Sequence, residues 1–341
     1  MPTDTTQAAA TPDPAFWAGR RVLVTGGAGF LGSGLCHALA GYGAEVVALD
    51  AMLTGSAAHP ANLAGLPVRL LKRDLRDADL EAACGGFSVL FNLAAQTSHA
   101  GGQRDPATDV DINTTAQIRL ILAMREAAPK AIVVHASTRQ FYGKPQWLPV
   151  TENHPIAPPD ANGVSKFAGE QYWMLENRVH GRPVVSLRLT NCYGPRMRIF
   201  DARQTFVGIW LRRLIENEPF EVWGGEQMRD LTYLDDVTNA FLLSAEKAAC
   251  HGQVFNLGGG PPVTLLQLAD AVVAANGGGT YAVKTFPPEA KAIDIGSYHA
   301  DDSAFRKASG WAPRIGLADG LTRSLEFFRP RLAAYTLEVP T

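Results

Sequence analysis

One stretch constrains this chain more than any other: Arg21 to Asp50, RVLVTGGAGFLGSGLCHALAGYGAEVVALD. It opens with a short apolar run, Val22-Leu23-Val24, too short for a helix and β-branched enough for a buried parallel strand. It turns through Thr25-Gly26-Gly27-Ala28-Gly29-Phe30-Leu31-Gly32. A helical pattern follows, with Leu31, Leu35, Ala38 and Leu39 on one face and Gly41 and Gly43 as its stop. A second apolar run, Val46 to Leu49, ends at Asp50. This is a complete β-α-β unit with a Gly-x-x-Gly-x-x-Gly turn. Gly26 serves the tight turn, Gly29 lets backbone approach a pyrophosphate, and Gly32 lets the helix pack close to the sheet. The helix N-terminus, with Phe30 and Leu31 in its first turn, offers free N–H groups and the positive end of its dipole to phosphates. Asp50 lies 18 residues after Gly32, where a carboxylate accepts from both ribose hydroxyls and repels a 2′-phosphate. The cofactor expected is therefore NAD rather than NADP.

The strand and helix patterns go on alternating, which implies a parallel sheet covered by helices on both faces. Val68 to Leu71 reads as a third strand, followed by Asp74 and Leu75. Val89 to Ala94 reads as a fourth, followed by Ala95-Gln96. A helix spans about Pro106 to Ala127, and Ala131 to His135 is a fifth strand running into Ser137-Thr138. Ligands in such sheets sit beyond the carboxyl ends of the strands, where Asp50, Asp74, Ala94 to Gln96 and Thr138 all fall. Asp74 either accepts from the adenine amino group or is a plain strand-end acid. From about Gln204 glycine- and proline-rich joints interleave short elements, the composition of a smaller substrate lobe. Val184 to Leu189 and Gln253 to Leu257 still look like buried strands returning to the main sheet. The division expected is 1–18 a disordered extension, 19–203 mainly a nucleotide-binding domain, 204–330 mainly a substrate lobe, and 331–341 a tail.

Composition narrows the function. The chain has 341 residues, 46% hydrophobic and 19% charged, with a net charge of −2. No basic block appears, so nucleic acid is not an expected partner. Four cysteines, Cys36, Cys84, Cys192 and Cys250, are widely spaced and show no metal-ligand pattern; they read as reduced thiols of a cytoplasmic protein. No apolar run approaches transmembrane length, and the first residues have neither the basic head nor the apolar core of a signal peptide.

With these motifs placed, the chain resembles the extended short-chain dehydrogenase/reductase enzymes that remodel nucleotide-diphosphate sugars. The resemblance runs from about Arg21 to Pro330. It is carried by Thr25 to Gly32, Asp74-Leu75, Asn92 to Gln96, Ser137-Thr138 with Tyr142-Gly143, and Gly163 to Lys166. Further carriers are Arg188 to Pro195, Gly224 to Asp230, Asp235-Asp236, Phe255 to Gly258 and Gly310 to Pro313. It implies an α/β Rossmann-type doubly wound sheet with a smaller C-terminal substrate-binding lobe. It also implies a nucleotide-diphosphate sugar as substrate, with NAD bound by the glycine turn, Asp50, Asp74, Leu75, Ala94, Ala95, Gln96, Asn113 and Lys166. For the sugar nucleotide it implies Gln96, Ser98, His99, Thr138, Arg139, Asn191, Gln204 and Arg229. Arginine suits phosphate because its fork donates in pairs.

One departure is sharp. Enzymes of this kind remove a hydride to NAD with help from a Tyr-x-x-x-Lys pair on one helical face, the tyrosinate taking the hydroxyl proton. Here Lys166 is present, but the tyrosine position holds Asn162. An amide has no useful pKa near neutrality and is no general base. Three readings stay open: another group substitutes, the chain is an impaired relative, or the asparagine is a deliberate substitution. The candidates for a substitute are Lys166 acting with Thr138, ranked first, and His99, ranked second. After Thr138, the dTDP-glucose-type 4,6-dehydratases carry Asp-Glu as acid and base; this chain has Arg139-Gln140, neither of which can play those parts. Arg139 either binds an anionic group or lies on the surface.

Epimerisation is the leading expectation. The rivals are a dehydratase or decarboxylase that shares the opening oxidation, and a catalytically weak binding protein. The resemblance further implies a homodimer whose four-helix bundle is formed by the helix from Pro106 and the helix bearing Lys166. The apolar residues offered are Ile112, Ile118, Ile121 and Leu122 on the first, and Phe167, Trp173 and Leu175 on the second.

Overall fold

The computed structural model describes residues 9–53, 56–77, 79–201, 206–288, 291 and 293–336. Among these, seven parallel strands form the central sheet. In chain order they are β1 (Arg21–Thr25), β2 (Glu45–Asp50), β3 (Arg69–Lys72), β4 (Val89–Asn92), β5 (Ile132–Thr138), β6 (Val184–Leu189) and β11 (Val254–Leu257); β7 (Asn191–Tyr193), β8 (Phe220–Trp223), β9 (Met228–Arg229) and β10 (Leu231–Tyr233) lie between the last two. The spatial order is β11-β6-β5-β4-β1-β2-β3. The chain winds outward in one direction from β1 to β3 and in the other from β4 to β11, so the order reverses between β1 and β4. The carboxyl ends of those two strands open the crevice where such sheets bind ligands.

Alternation along each strand explains the layers. Val22, Val24, Val89, Phe91 and Val134 face one helical layer, while Leu23, Leu90 and Val133 face the other. The first layer contains α2 (Phe30–Gly41) and α9 (Leu234–Glu246); the second contains α6 (Ala116–Ala127) and α7 (Ala161–His180). Strands buried on both faces read as continuous apolar runs, which is why these segments were legible. The strand at Val254–Leu257 does return to the main sheet, beside β6. A separate apolar cluster, with Val207, Trp210, Phe220, Leu268 and Leu325, forms the core of the smaller lobe.

Three expectations need correction. The segment before residue 18 is ordered over the described residues from Ala9. Asp13 caps a helical turn, Pro14–Trp17, and Trp17 is fully buried against Phe91. Its indole N–H donates to Glu246 (2.6 Å). A single tryptophan offers an apolar area large enough to anchor a polar segment. The start of the tail is likewise ordered: Leu332–Thr336 is helical, and buried Tyr335 donates to Asn62 Oδ1 (2.6 Å). The helix expected from Pro106 to Ala127 is continuous but not uniform, because one π turn, Asp111–Thr115, interrupts it. Insertions of this kind recur at functional sites, and this one carries Asn113.

A buried ion pair locks α7 to the sheet. Glu170 accepts from Arg188 (2.6 and 3.0 Å), Ser137 (2.7 Å) and Ser186 (3.1 Å). Arg188 also donates to Tyr142 Oη (2.6 Å). Removing one partner of such a pair typically costs about 3–5 kcal/mol, because a buried charge is left uncompensated. The lock matters because α7 carries Asn162 and Lys166.

Candidate active site

The glycine turn has the shape expected of a pyrophosphate cradle. Gly26 sits at φ +66°, in the left-handed region, and a Cβ there would press on the Ala94 N–H at 3.0 Å. A Cβ on Gly32 would overlap the Gly26 carbonyl. Helix α2 begins at Gly29 with no side-chain cap, so its first N–H groups are free for an anion. Asp50 is buried at the tip of β2; its oxygens accept from Ala28 N–H (3.1 Å) and Met52 N–H (2.9 Å). Each oxygen keeps a lone pair for a ribose hydroxyl. Burial pushes this carboxyl upward, and the two N–H groups draw it back. The residues present therefore fit NAD: a cradle that side chains would fill, an uncapped helix, and a carboxylate.

Asp74 is engaged differently from the simple adenine acceptor. Its carboxylate takes Arg76 in a bidentate pair (3.0 and 2.7 Å), which holds it below the usual carboxylate range. The Leu75 side chain is buried in the core and leaves only its backbone for a cofactor.

Beyond β4 the loop Ala94 to Ser98 is clamped from three sides. Asn113 accepts from Gln96 N–H (3.0 Å) and donates to Gln96 O (3.0 Å). Asp109 lies at the centre, fully buried, and accepts from Gln96 (2.9 Å), Asn113 (2.9 Å), Asn162 (3.1 Å) and Ser165. A Cβ on Gly102 would overlap its carboxylate, so α4 (His99–Arg104) and α5 (Pro106–Val110) can meet here only at glycine. Asn162 spends both amide protons, on Asp109 and on Gln96 O (2.9 Å), and is buried at 1% exposure. Ser98 caps α4 through Gly101 N–H (3.1 Å).

Lys166 stands one turn further along α7. Burial pushes the amine down to about 8, and Asp109 draws it part of the way back. Thr138 ends β5, and its hydroxyl oxygen accepts from Gln140 N–H (3.1 Å). Gln140 in turn donates to Asp160 (2.9 Å), and Asp160 caps α7 through Gly163 N–H (2.7 Å). His99 approaches the same carboxylate, with Nδ1 2.9 Å from Asp160 Oδ2; the approach is oblique, so Nδ1 makes no linear hydrogen bond.

Arg139 is not a free surface residue. It donates to Asn191 Oδ1 (2.9 Å) and lies 4.9 Å above the Tyr298 ring, while its other terminal nitrogen is buried without a partner. Arg229 is buried and already engaged with Asp294 (3.2 Å), Met228 O (2.8 Å) and Gly296 O. Burial and the neighbouring Arg139 push it down to about 10. A phosphate would therefore share this guanidinium rather than claim it. Gln204 lies outside the described residues. Sequence reasoning assigned no role to Asp109 or Asp160; only Asp160 carried a local signal, an acid just before a helix.

This assembly of cradle, carboxylate and helix-borne lysine at a topological switch point defines a nucleotide-dependent α/β enzyme. The chain belongs to the NAD dependent epimerase/dehydratase family, whose sequence model matches residues 22–258. It is 32% identical to a UDP-glucose 4-epimerase of Mycolicibacterium smegmatis over 314 residues, covering 91% of this chain and 98% of the relative. A UDP-glucose 4-epimerase of Thermus thermophilus, solved with NAD, superposes with a TM-score of 0.82 at 30% identity, over 91% of this chain and 99% of that one. One of Thermotoga maritima, solved with UDP-glucose, gives 0.83 at 29% identity, over 92% and 99%.

The Asp50 assignment is open to a direct check. NAD should bind at least about tenfold more tightly than NADP, a difference of about 1.4 kcal/mol, and Asp50→Ala should erase the preference. Calorimetric titration of both cofactors into stripped protein measures it. Equal affinities in the unsubstituted protein contradict the role given to Asp50.

Proposed function

We propose that the protein is an NAD-dependent epimerase of a nucleotide-diphosphate sugar. What supports this reading is the dinucleotide cradle ending in Asp50 at the switch point of the sheet, in a chain that also carries Thr138 at the end of β5 and Lys166 on α7. The cofactor, when bound, accepts a hydride from a sugar carbon and returns it. The chain's own residues do the rest. Gly26, Gly29 and Gly32 admit the pyrophosphate, and Asp50 orients the adenosine ribose. Lys166 would hold the nicotinamide ribose and would supply positive charge to the reaction. The Thr138 hydroxyl, accepting from Gln140 N–H, keeps its own proton free to donate to the sugar oxygen. Arg139 and Asn191 form a polar wall next to Thr138, and Arg229 is the candidate phosphate contact.

Dehydration by the route of an adjacent acid and base is disfavoured. Arg139 stays protonated, and the Gln140 amide is tied to Asp160. Among the described residues no helix is long and apolar enough to cross a membrane. A cytoplasmic location rests on the four thiols, all free and three of them buried.

The partner implied is a second copy. Trp173 and Ile121 face the core rather than solvent, which removes them from the expected bundle surface. Leu122 on α6 and Val164, Tyr172, Leu175 and Val179 on α7 are the large apolar residues these helices expose. Those on α7 recur at near-helical spacing, the pattern of a packing stripe. Light scattering at micromolar concentration should give the mass of a dimer; a monomer contradicts the bundle.

The function itself is tested by incubating purified holoprotein with a panel of UDP- and dTDP-sugars, read by mass spectrometry and NMR. Unchanged mass with a new stereoisomer is expected. Loss of water or carbon dioxide contradicts epimerisation in favour of dehydration or decarboxylation, and no change at all points to a binding protein.

A further inference from the structure

We infer that His99, oriented by the buried carboxylate of Asp160, is the general base and acid that takes and returns the sugar hydroxyl proton. The inference rests on the epimerase reading and supplies what that reading lacks, a proton acceptor in place of the missing tyrosine.

The other titratable groups near β5, β6 and α7 are spoken for. Asn162 has both amide protons engaged and no basic lone pair. The Tyr142 hydroxyl is bonded to Arg188 and Asn256, and burial pushes it up to about 12. His135 is buried against Asn92 (3.0 Å), and burial together with Lys166 pushes it down to about 3. Cys192 is pushed up by burial to about 12. Glu170 is saturated by Arg188 and two serines. Asp230, raised by burial to about 6, is closer to a base. However, its free oxygen is shut off from solvent, and the cavity it adjoins is lined by Gly259, Pro262, His299, Asp302 and Arg306, without Thr138, Asn162 or Lys166. Lys166 at about 8 still carries its proton at neutral pH in most molecules. It must discard that proton before it can accept another, and its positive charge is then lost from the reacting carbon.

The His99 side chain is 38% exposed while that of Asp160 is at 0%. The Nδ1 edge of the imidazole is buried beside a fixed carboxylate, while over a third of the side chain stays open to solvent. Asp160 is fixed from two elements, by Gly163 N–H at the start of α7 and by Gln140 after β5. Burial pushes Asp160 up, but His99, Gly163 N–H and Gln140 outweigh it and hold the carboxyl below its usual range. A carboxylate beside Nδ1 selects the tautomer with the proton on that nitrogen, which leaves the Nε2 lone pair as the base. Catalytic hydrogen bonds often align only when substrate is bound, so the oblique approach at 2.9 Å is compatible with the role. Asp160 also ties His99 to the reacting centre: it lies two residues before position 162, and its partner Gln140 supplies the N–H that holds Thr138.

The hydride is the cofactor's share of the exchange. The O–H bond of the sugar hydroxyl breaks, its proton bonds to His99 Nε2, and the Nδ1 proton stays beside Asp160. The reverse transfer breaks the Nε2–H bond and restores the hydroxyl, so no proton is gained or lost overall.

His99→Ala holoenzyme, assayed with UDP-glucose and UDP-galactose, tests the inference. Turnover should fall by about 10²–10⁴-fold, with bound NAD and the affinity for UDP unchanged by calorimetry. Added imidazole should restore part of the rate. Asp160→Asn, altering a positioning residue, should also lower kcat with little change in KM, but imidazole should not rescue it. His99→Ala retaining its rate, or losing it without any imidazole rescue while NAD and UDP still bind, overturns the role of His99 and leaves epimerisation by the unsubstituted enzyme intact. Absence of epimer formation by the unsubstituted enzyme instead removes the epimerase reading itself.

Discussion

The crevice depends on one buried carboxylate. Asp109 sits at no measurable exposure with Gln96, Asn113, Asn162 and Ser165 all donating to it. Taking a carboxylate out of water costs several kcal/mol, and the cost is recovered only when its lone pairs are filled with good geometry. Here four donors fill them, with Lys166 as a cation nearby. The donors come from three separate pieces of chain: the loop after β4, the π turn and α7. Satisfying one charge therefore fixes the mutual placement of those three pieces. Gly102 is part of the same solution, because any side chain there would displace the carboxylate.

The same network explains why Asn162 does not stand in for tyrosine. It faces inward, with both amide protons committed to Asp109 and Gln96 O. At this position the side chain ties α7 to the loop after β4 and to Asp109. Two buried acids then divide the work. Asp109 holds the scaffold and moderates Lys166, whereas Asp160 caps α7 and meets His99.

Much of this was legible in the sequence, for reasons that are local. The glycine turn, Asp50 and the buried strands follow from short-range rules: a tight turn, an acid at a strand tip, apolar runs between helices. The family resemblance then fixed the positions of Thr138, Lys166 and the vacant tyrosine. What escaped was set by tertiary contact. Nothing local shows that Asp109 is buried, because its donors lie up to 56 residues away at Ser165. Trp17 and Tyr335 sit in polar segments that read as loose ends, yet each finds a distant partner, at Glu246 and Asn62. The bundle face was half misread because Trp173 and Leu175, two residues apart on one helix, point to opposite environments.

A structural role for position 162 requires the base to lie elsewhere. Asn162→Tyr tests it most directly, with turnover of the substrate sugar nucleotide measured alongside bound NAD. The tyrosine would forfeit the donations to Asp109 and Gln96 O, so the account predicts turnover unchanged or lower with NAD retained. A rise of about 10²–10⁴-fold, the gain expected from restoring a missing general base, would contradict it.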